Sequence, residues 1–211
     1  MLEAPAASVL LASAGMEQPE FRPVPRESVE RCAVGEEAQR FEPGDFILTH
    51  GDAWTSRAIR FGQRLRIHGA DRKYAHWNHA AIIVADNGDL IEALGRGTSR
   101  TQLSKYREAE YHLVRITAGA GDRSQAVAFA LWAAGGPDGS GRLRYGFLTI
   151  VSIAYTLLTG GKFTFGIDGQ VICSGLVARA MERTEAIFNR TPTHIMPADL
   201  AKYYQVEPPS E

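Results

Sequence analysis

Apolar residues gather in short, strand-length runs in the first half of this chain and recur at helical spacing in the second. Phe46-Ile47-Leu48-Thr49 follows the turn Glu42-Pro43-Gly44-Asp45 and reads as an apolar strand. Residues 54–65 then take helical spacing. His79-Ala80-Ala81-Ile82-Ile83-Val84-Ala85 is the next strand, Asn87-Gly88 a hairpin turn, and Leu90-Ile91-Glu92-Ala93-Leu94 the returning strand. Tyr111-His112-Leu113-Val114-Arg115-Ile116 alternates in polarity as a further strand. Residues 124–134 predict a helix stopped by Gly135-Gly136-Pro137. Residues 145–158 are apolar on nearly every face and are read as another helix. After a glycine-rich turn, Gln170-Val171-Ile172 is a short strand that runs into a helix. Leu176, Val177, Ala180 and Met181 share one face of that helix, with Arg179, Glu182 and Arg183 on the other. A short terminal helix spans 197–203. Strands come first and helices later, with no regular βαβ alternation and no internal repeat. That order predicts an α+β fold with an antiparallel sheet packed with helices.

A length of 211 residues suits one domain with an extension. Residues 1–40 are rich in Ala, Pro and Glu, and we expect them to be partly disordered or wrapped on the domain. The domain is placed at 41–205, with a tail at 206–211. Net charge is −1, so composition makes no electrostatic case for nucleic acid. The run Arg57, Arg60, Arg64, Arg66 reads as a solvated helix face; contact with an anion or a membrane surface is the alternative. Two cysteines, Cys32 and Cys173, are no disulfide framework, and a reducing compartment is the simpler reading. No basic segment precedes the apolar stretch 6–14, and no run of about 20 apolar residues is present. A cytoplasmic location without a membrane span is the resulting expectation. The sequence leaves oligomeric state open.

Candidate chemistry starts at Cys173. At the first turn of a helix, a thiol feels unpaired N–H groups and the positive end of the helix dipole, which favours thiolate. The plainer reading is a small buried hydrophobe. His79 opens a strand and could manage protons. Glu92, a carboxylate on an otherwise apolar strand, could orient the imidazole. With Asn87-Gly88 as a two-residue turn, Ile83 faces Glu92, and positions 79, 81 and 83 share its side of the sheet. In that register His79 and Glu92 are four residues apart along the strand. At about 3.3 Å per residue that is too far for a hydrogen bond, so a bulge, a strong twist or a longer loop is required.

Gly44-Asp45-Phe46-Ile47-Leu48, Asn78-His79-Ala80-Ala81-Ile82-Ile83, Ile91-Glu92-Ala93-Leu94, Ile172-Cys173-Ser174-Gly175-Leu176-Val177 and Pro197-Ala198-Asp199-Leu200 occur in that order. Together they resemble the circularly permuted NlpC-type papain-like cysteine hydrolases, in the YiiX-like branch related to lecithin–retinol acyltransferase. The likeness covers about residues 42–205. In ordinary papain-like enzymes the Cys helix precedes the His strand, whereas here His79 comes first. The resemblance implies Cys173 as nucleophile, His79 as general base and Glu92 as orienting group, with no cofactor. One departure is Gly175, where many relatives carry an acidic residue.

The resemblance also bears on residues 145–158. Their plain reading is a buried core helix. The alternative is a wall for an acyl chain, with Tyr145, Phe147, Ile150, Val151 and Ala154 as substrate-binding positions. The expected partner is therefore a small-molecule, lipid or peptide substrate carrying an amide, ester or thioester, and long acyl groups are favoured. A non-catalytic lipid- or peptide-binding module of the same fold is the competing class. A metal protein is a third: the six histidines include His76-Trp77-Asn78-His79, but no second ligand cluster stands nearby, so no metal is expected. His50 is read as incidental.

Overall fold

Ile47 and Leu48 leave one strand on opposite faces, and both are fully buried, so the sheet they belong to is covered on both sides. The computed structural model describes residues 29–51, 54–94, 97–135, 144–145, 170–171, 173–189 and 191–209. Strands β1 (Val29–Cys32), β2 (Phe46–His50), β3 (His79–Ile83), β4 (Asp89–Leu94), β5 (Gly97–Gln102) and β6 (Glu110–Val114) form an antiparallel sheet in the order β1-β6-β2-β3-β4-β5. Helices α1 (Trp54–Arg66), α2 (Ala120–Ala133), α3 (Cys173–Met181) and α4 (Pro197–Tyr203) complete a mixed α+β architecture. Phe46, Leu48, Ala80, Ile82 and Ile91 pack with residues of α2, α3 and α4 in one apolar cluster. Ile47, Ala81, Ile83, Leu90 and Leu113 form a second cluster with Leu103 and Tyr106 of a 3-10 turn at Leu103–Glu108.

The hairpin between β3 and β4 is longer than its Asn-Gly pair predicts. Val84 N–H donates to the Asp89 carbonyl (2.8 Å), and Gly88 N–H to that of Ala85 (3.0 Å), which encloses residues 85–88 as the loop. Gly88 has a φ of 83°, a conformation that glycine adopts without a Cβ penalty. The observed register pairs Ala81 with Glu92, where the two-residue turn would pair Ile83 with it. A slip of two residues keeps every side chain on its expected face and changes only the position along the strand.

Two strands carry little pattern in the sequence. Val29–Cys32, within the stretch assigned to the extension, joins the sheet by pairing with β6. Gly97–Gln102 contains no large apolar residue and is held by a six-pair ladder with β4, so hydrophobic periodicity is silent on it. A helix from residue 145 is not what Tyr145 forms: Arg144–Tyr145 (β7) pairs in parallel with Gln170–Val171 (β8). A short all-apolar run has no period that separates strand from helix, which is why the expectation failed at Tyr145. The other positions assigned to an acyl wall, Phe147, Ile150, Val151 and Ala154, lie outside the described residues. Helix α3 is also less two-sided than its sequence suggests. Leu176, Val177, Ala178, Ala180 and Met181 are all fully buried, and Gly175 is buried with them.

Gln63 ties three elements together. Fully buried on α1, it donates from Nε2 to the Trp77 carbonyl (2.7 Å) and accepts at Oε1 from the Ala198 N–H (2.9 Å) of α4. Trp77 stands two residues before His79, so this strut supports the entry to β3. Gln63→Leu should leave that carbonyl and that N–H buried without partners and lower unfolding stability by about 2 kcal/mol. Urea denaturation measures it; an unchanged midpoint and slope would show that the strut contributes nothing. The arginines of the same helix divide: Arg60 lies against His50 and Arg66 pairs with Asp199, while Arg57 and Arg64 are exposed.

Candidate active site

Cys173 is the first residue of α3 and is 3% exposed. The next residue, Ser174, is fully buried and donates from Oγ to the Ile195 carbonyl (2.6 Å), which anchors the helix start. Three groups point at the Cys173 sulfur: the His79 ring, the Ala80 N–H and the Ser174 N–H. Burial pushes the thiol up, but the charge of His79 and these hydrogen bonds outweigh it and hold Cys173 below its ordinary pKa.

His79 opens β3, opposite Thr49 of β2. The β3–β4 ladder begins only at Ala81 and Glu92, so His79 and Ala80 precede the first pair. Helix α3 packs on both strands. This explains how a sheet N–H, that of Ala80, turns to the sulfur. Asn78 fixes the approach to β3: its Nδ2 donates to the Gly51 carbonyl (2.9 Å) and its Oδ1 accepts from the Gly51 N–H (3.1 Å).

The register correction brings Glu92 to His79. They are two residues apart along the strands, not four, which is a diagonal cross-strand relation within reach of long side chains. His79 Nε2 donates to Glu92 Oε2 at 2.8 Å. That leaves Nδ1 as the ring nitrogen for the sulfur. Burial lowers the imidazole pKa, but Cys173 and Glu92 more than reverse this and push His79 up to about 9. Imidazolium is therefore favoured at neutral pH.

Glu92 is fully buried and saturated with donors. Besides His79, its Oε2 accepts from the Tyr106 hydroxyl. Its Oε1 accepts from Thr101 Oγ1 (2.7 Å) and from Lys105 Nζ (2.7 Å). Burial raises the carboxyl, but His79 first, then Lys105 and Tyr106, hold it well below the usual carboxylate range. Burial and the Glu92 charge drive Tyr106 far above an ordinary phenol, so it stays a donor. No protein-family model and no curated protein matches this chain. The site is thus read from its geometry.

The structure joins Cys173, His79 and Glu92 in one hydrogen-bonded chain. Sequence reasoning did not find Thr101, Lys105 or Tyr106. Their signal is faint: polar groups without helical or strand periodicity, close in sequence to a buried glutamate that needs partners. A thiolate–imidazolium pair with an ionised carboxylate behind it can perform nucleophilic attack and return a proton to a leaving group.

A second histidine group lies where β2 ends and β6 begins, next to Thr49, the residue opposite His79. The His50 and His76 rings stack at 3.9 Å, and His76 Nε2 meets Glu110 Oε2 at 3.2 Å. His50 also lies against Arg60. His112 is 2% exposed, and burial lowers it to about 4, so it is neutral at pH 7. Among the described residues, no group of three or more His, Cys, Asp or Glu side chains is arranged to hold a metal ion. Nor is any described helix long and apolar enough to cross a membrane.

Proposed function

We propose that this chain is a cysteine hydrolase or acyltransferase that works through an acyl-enzyme on Cys173, in a circularly permuted papain-like arrangement. The observation that carries the reading is the hydrogen-bonded chain Cys173–His79–Glu92. The strands bearing His79 and Glu92 precede the Cys173 helix in sequence, the order expected of the permuted branch. The Cys173 thiolate attacks the carbonyl carbon of an amide, ester or thioester. The carbonyl π electrons move to oxygen, where the Cys173 backbone N–H at the start of α3 helps hold the oxyanion. Collapse breaks the bond to the leaving group, which takes a proton from His79. Neutral His79 then removes a proton from water or an acceptor, which attacks the thioester; the C–S bond breaks, the acid or acylated acceptor leaves, and the thiolate–imidazolium pair is restored. Glu92 keeps the ring oriented and stabilises each imidazolium state.

The competing reading, a binding module of the same fold, needs no activated thiol. The two cysteines give a built-in comparison, since Cys32 is 2% and Cys173 3% exposed. Burial raises the Cys32 pKa and lowers its thiolate fraction, whereas Cys173 is held down. Iodoacetamide should therefore alkylate Cys173 at neutral pH at least about tenfold faster than Cys32. Equal rates at the two thiols would leave the binding module as the better reading.

A further inference from the structure

The acid behind His79 is unusually well held. Of the donors to Glu92, Lys105 forms an ion pair with it and is about half exposed, with its Nζ 5.3 Å from the centre of the Tyr106 ring. Tyr106 is buried, and its ring stacks on that of His79 with centres 6.2 Å apart. Thr101 reaches the same carboxylate from β5. Charged and titratable groups gathered around His79 and Glu92 are thus Cys173 from α3 and Lys105 and Tyr106 from the turn at Leu103–Glu108, with Thr101 as a neutral donor. With Cys173 as thiolate and His79 as imidazolium, Lys105 makes the set neutral: two cations and two anions in alternation.

We infer that Lys105 is a positioning residue for the reaction: with Thr101 and Tyr106 it holds the Glu92 carboxylate as a fixed, partly neutralised anion, and so sets the alkaline limit of the His79–Cys173 pair. The inference rests on the cysteine-nucleophile reading above. Among the described residues, a carboxylate without Lys105 has only His79 as a cationic partner. Its field on the ring then grows, and the imidazolium keeps its proton to higher pH. Mobility is the second consequence. Thr101 and Lys105 both fix Oε1, so Oε2 can turn only toward His79 and Tyr106.

The test is the pH dependence of iodoacetamide alkylation of the full chain, read at each cysteine by mass spectrometry. The Cys173 rate should rise once as the ion pair forms, and again near pH 9 as His79 loses its proton. Lys105→Met should move this second rise upward by roughly half a pH unit, the size a half-exposed ion pair sustains. Lys105→Arg should restore it, and Tyr106→Phe should move it in the same direction by less. Lys73→Met removes an equal charge from a surface pair with Glu207 and should leave the rise in place. A second rise unmoved by Lys105→Met, or moved as far by Lys73→Met, overturns the inference while the nucleophile reading stands. Wild-type Cys173 that labels no faster than Cys32 and shows no second rise overturns both.

Discussion

His79→Ala is expected to lower Cys173-dependent cleavage of p-nitrophenyl octanoate by about 10² to 10⁴-fold, the span that a positioned acid–base group supplies. Two effects act together. The imidazolium that holds Cys173 below its ordinary pKa is lost, and the buried thiol is left to the desolvation that raises it. Water also loses the base that activates it against the thioester, while p-nitrophenolate leaves without needing a proton. Alkylation separates the two, because it needs the thiolate and no base to activate water. The variant should therefore label slowly at pH 7 and regain much of the wild-type rate at high pH, while ester turnover stays low. A His79→Ala protein that cleaves the ester at wild-type rate would remove His79 from the mechanism, and with it the proposed activity of this site.

The largest effect on stability is expected at Glu92. Glu92→Ala removes the acceptor of four donors, two of them cationic, and leaves His79 and the Tyr106 hydroxyl buried without it. Breaking a buried ion pair from one side costs about 3–5 kcal/mol, and the variant should lose that much in urea denaturation. Glu92→Gln keeps the volume and part of the hydrogen bonding, so its loss should be smaller and its turnover reduced rather than abolished. The pH dependence has two signs. The folded Glu92 pKa is depressed, so its contribution is present above about 4.5 and is lost as pH falls below that. The folded His79 pKa is raised, so its contribution is full below about 6.5 and is lost as pH rises through about 9. Wild-type stability should therefore decline on both sides of this range, and Glu92→Ala should flatten both declines. A Glu92→Ala protein as stable as wild type, with the same pH dependence, would show that the buried carboxylate is not held as described.

Some of this site was legible because its signals are local. Cys173 stands where a short strand meets an amphipathic run, and a helix start favours thiolate whatever surrounds it. His79 opens an apolar strand, and Glu92 interrupts another; both are visible as residue types out of place in their periods. The offset between them was legible too, as a conflict. Backbone spacing alone says that a two-residue turn leaves them too far apart, and the structure answers with a longer loop. The sequence could pose that question because strand rise is a constant of the chain.

What the sequence determined by itself, then, are the elements with a strong local period: the strands at β2, β3, β4 and β6, the helices at α1, α2, α3 and α4, and their α+β order. Local chemistry suffices there, since apolar spacing, Asn-Gly, Gly135 and Pro197 act on their own neighbours. Tertiary structure alone decided the rest. It added Val29–Cys32 and Gly97–Gln102 to the sheet, because pairing with β6 and β4 supplies backbone partners that no apolar pattern announces. It set the β3–β4 register, because the loop closes where the strands pack best and not where the Asn-Gly signal falls. It also assembled Thr101, Lys105 and Tyr106 around Glu92, because a buried carboxylate must find donors and only folding decides which side chains stand within reach of it.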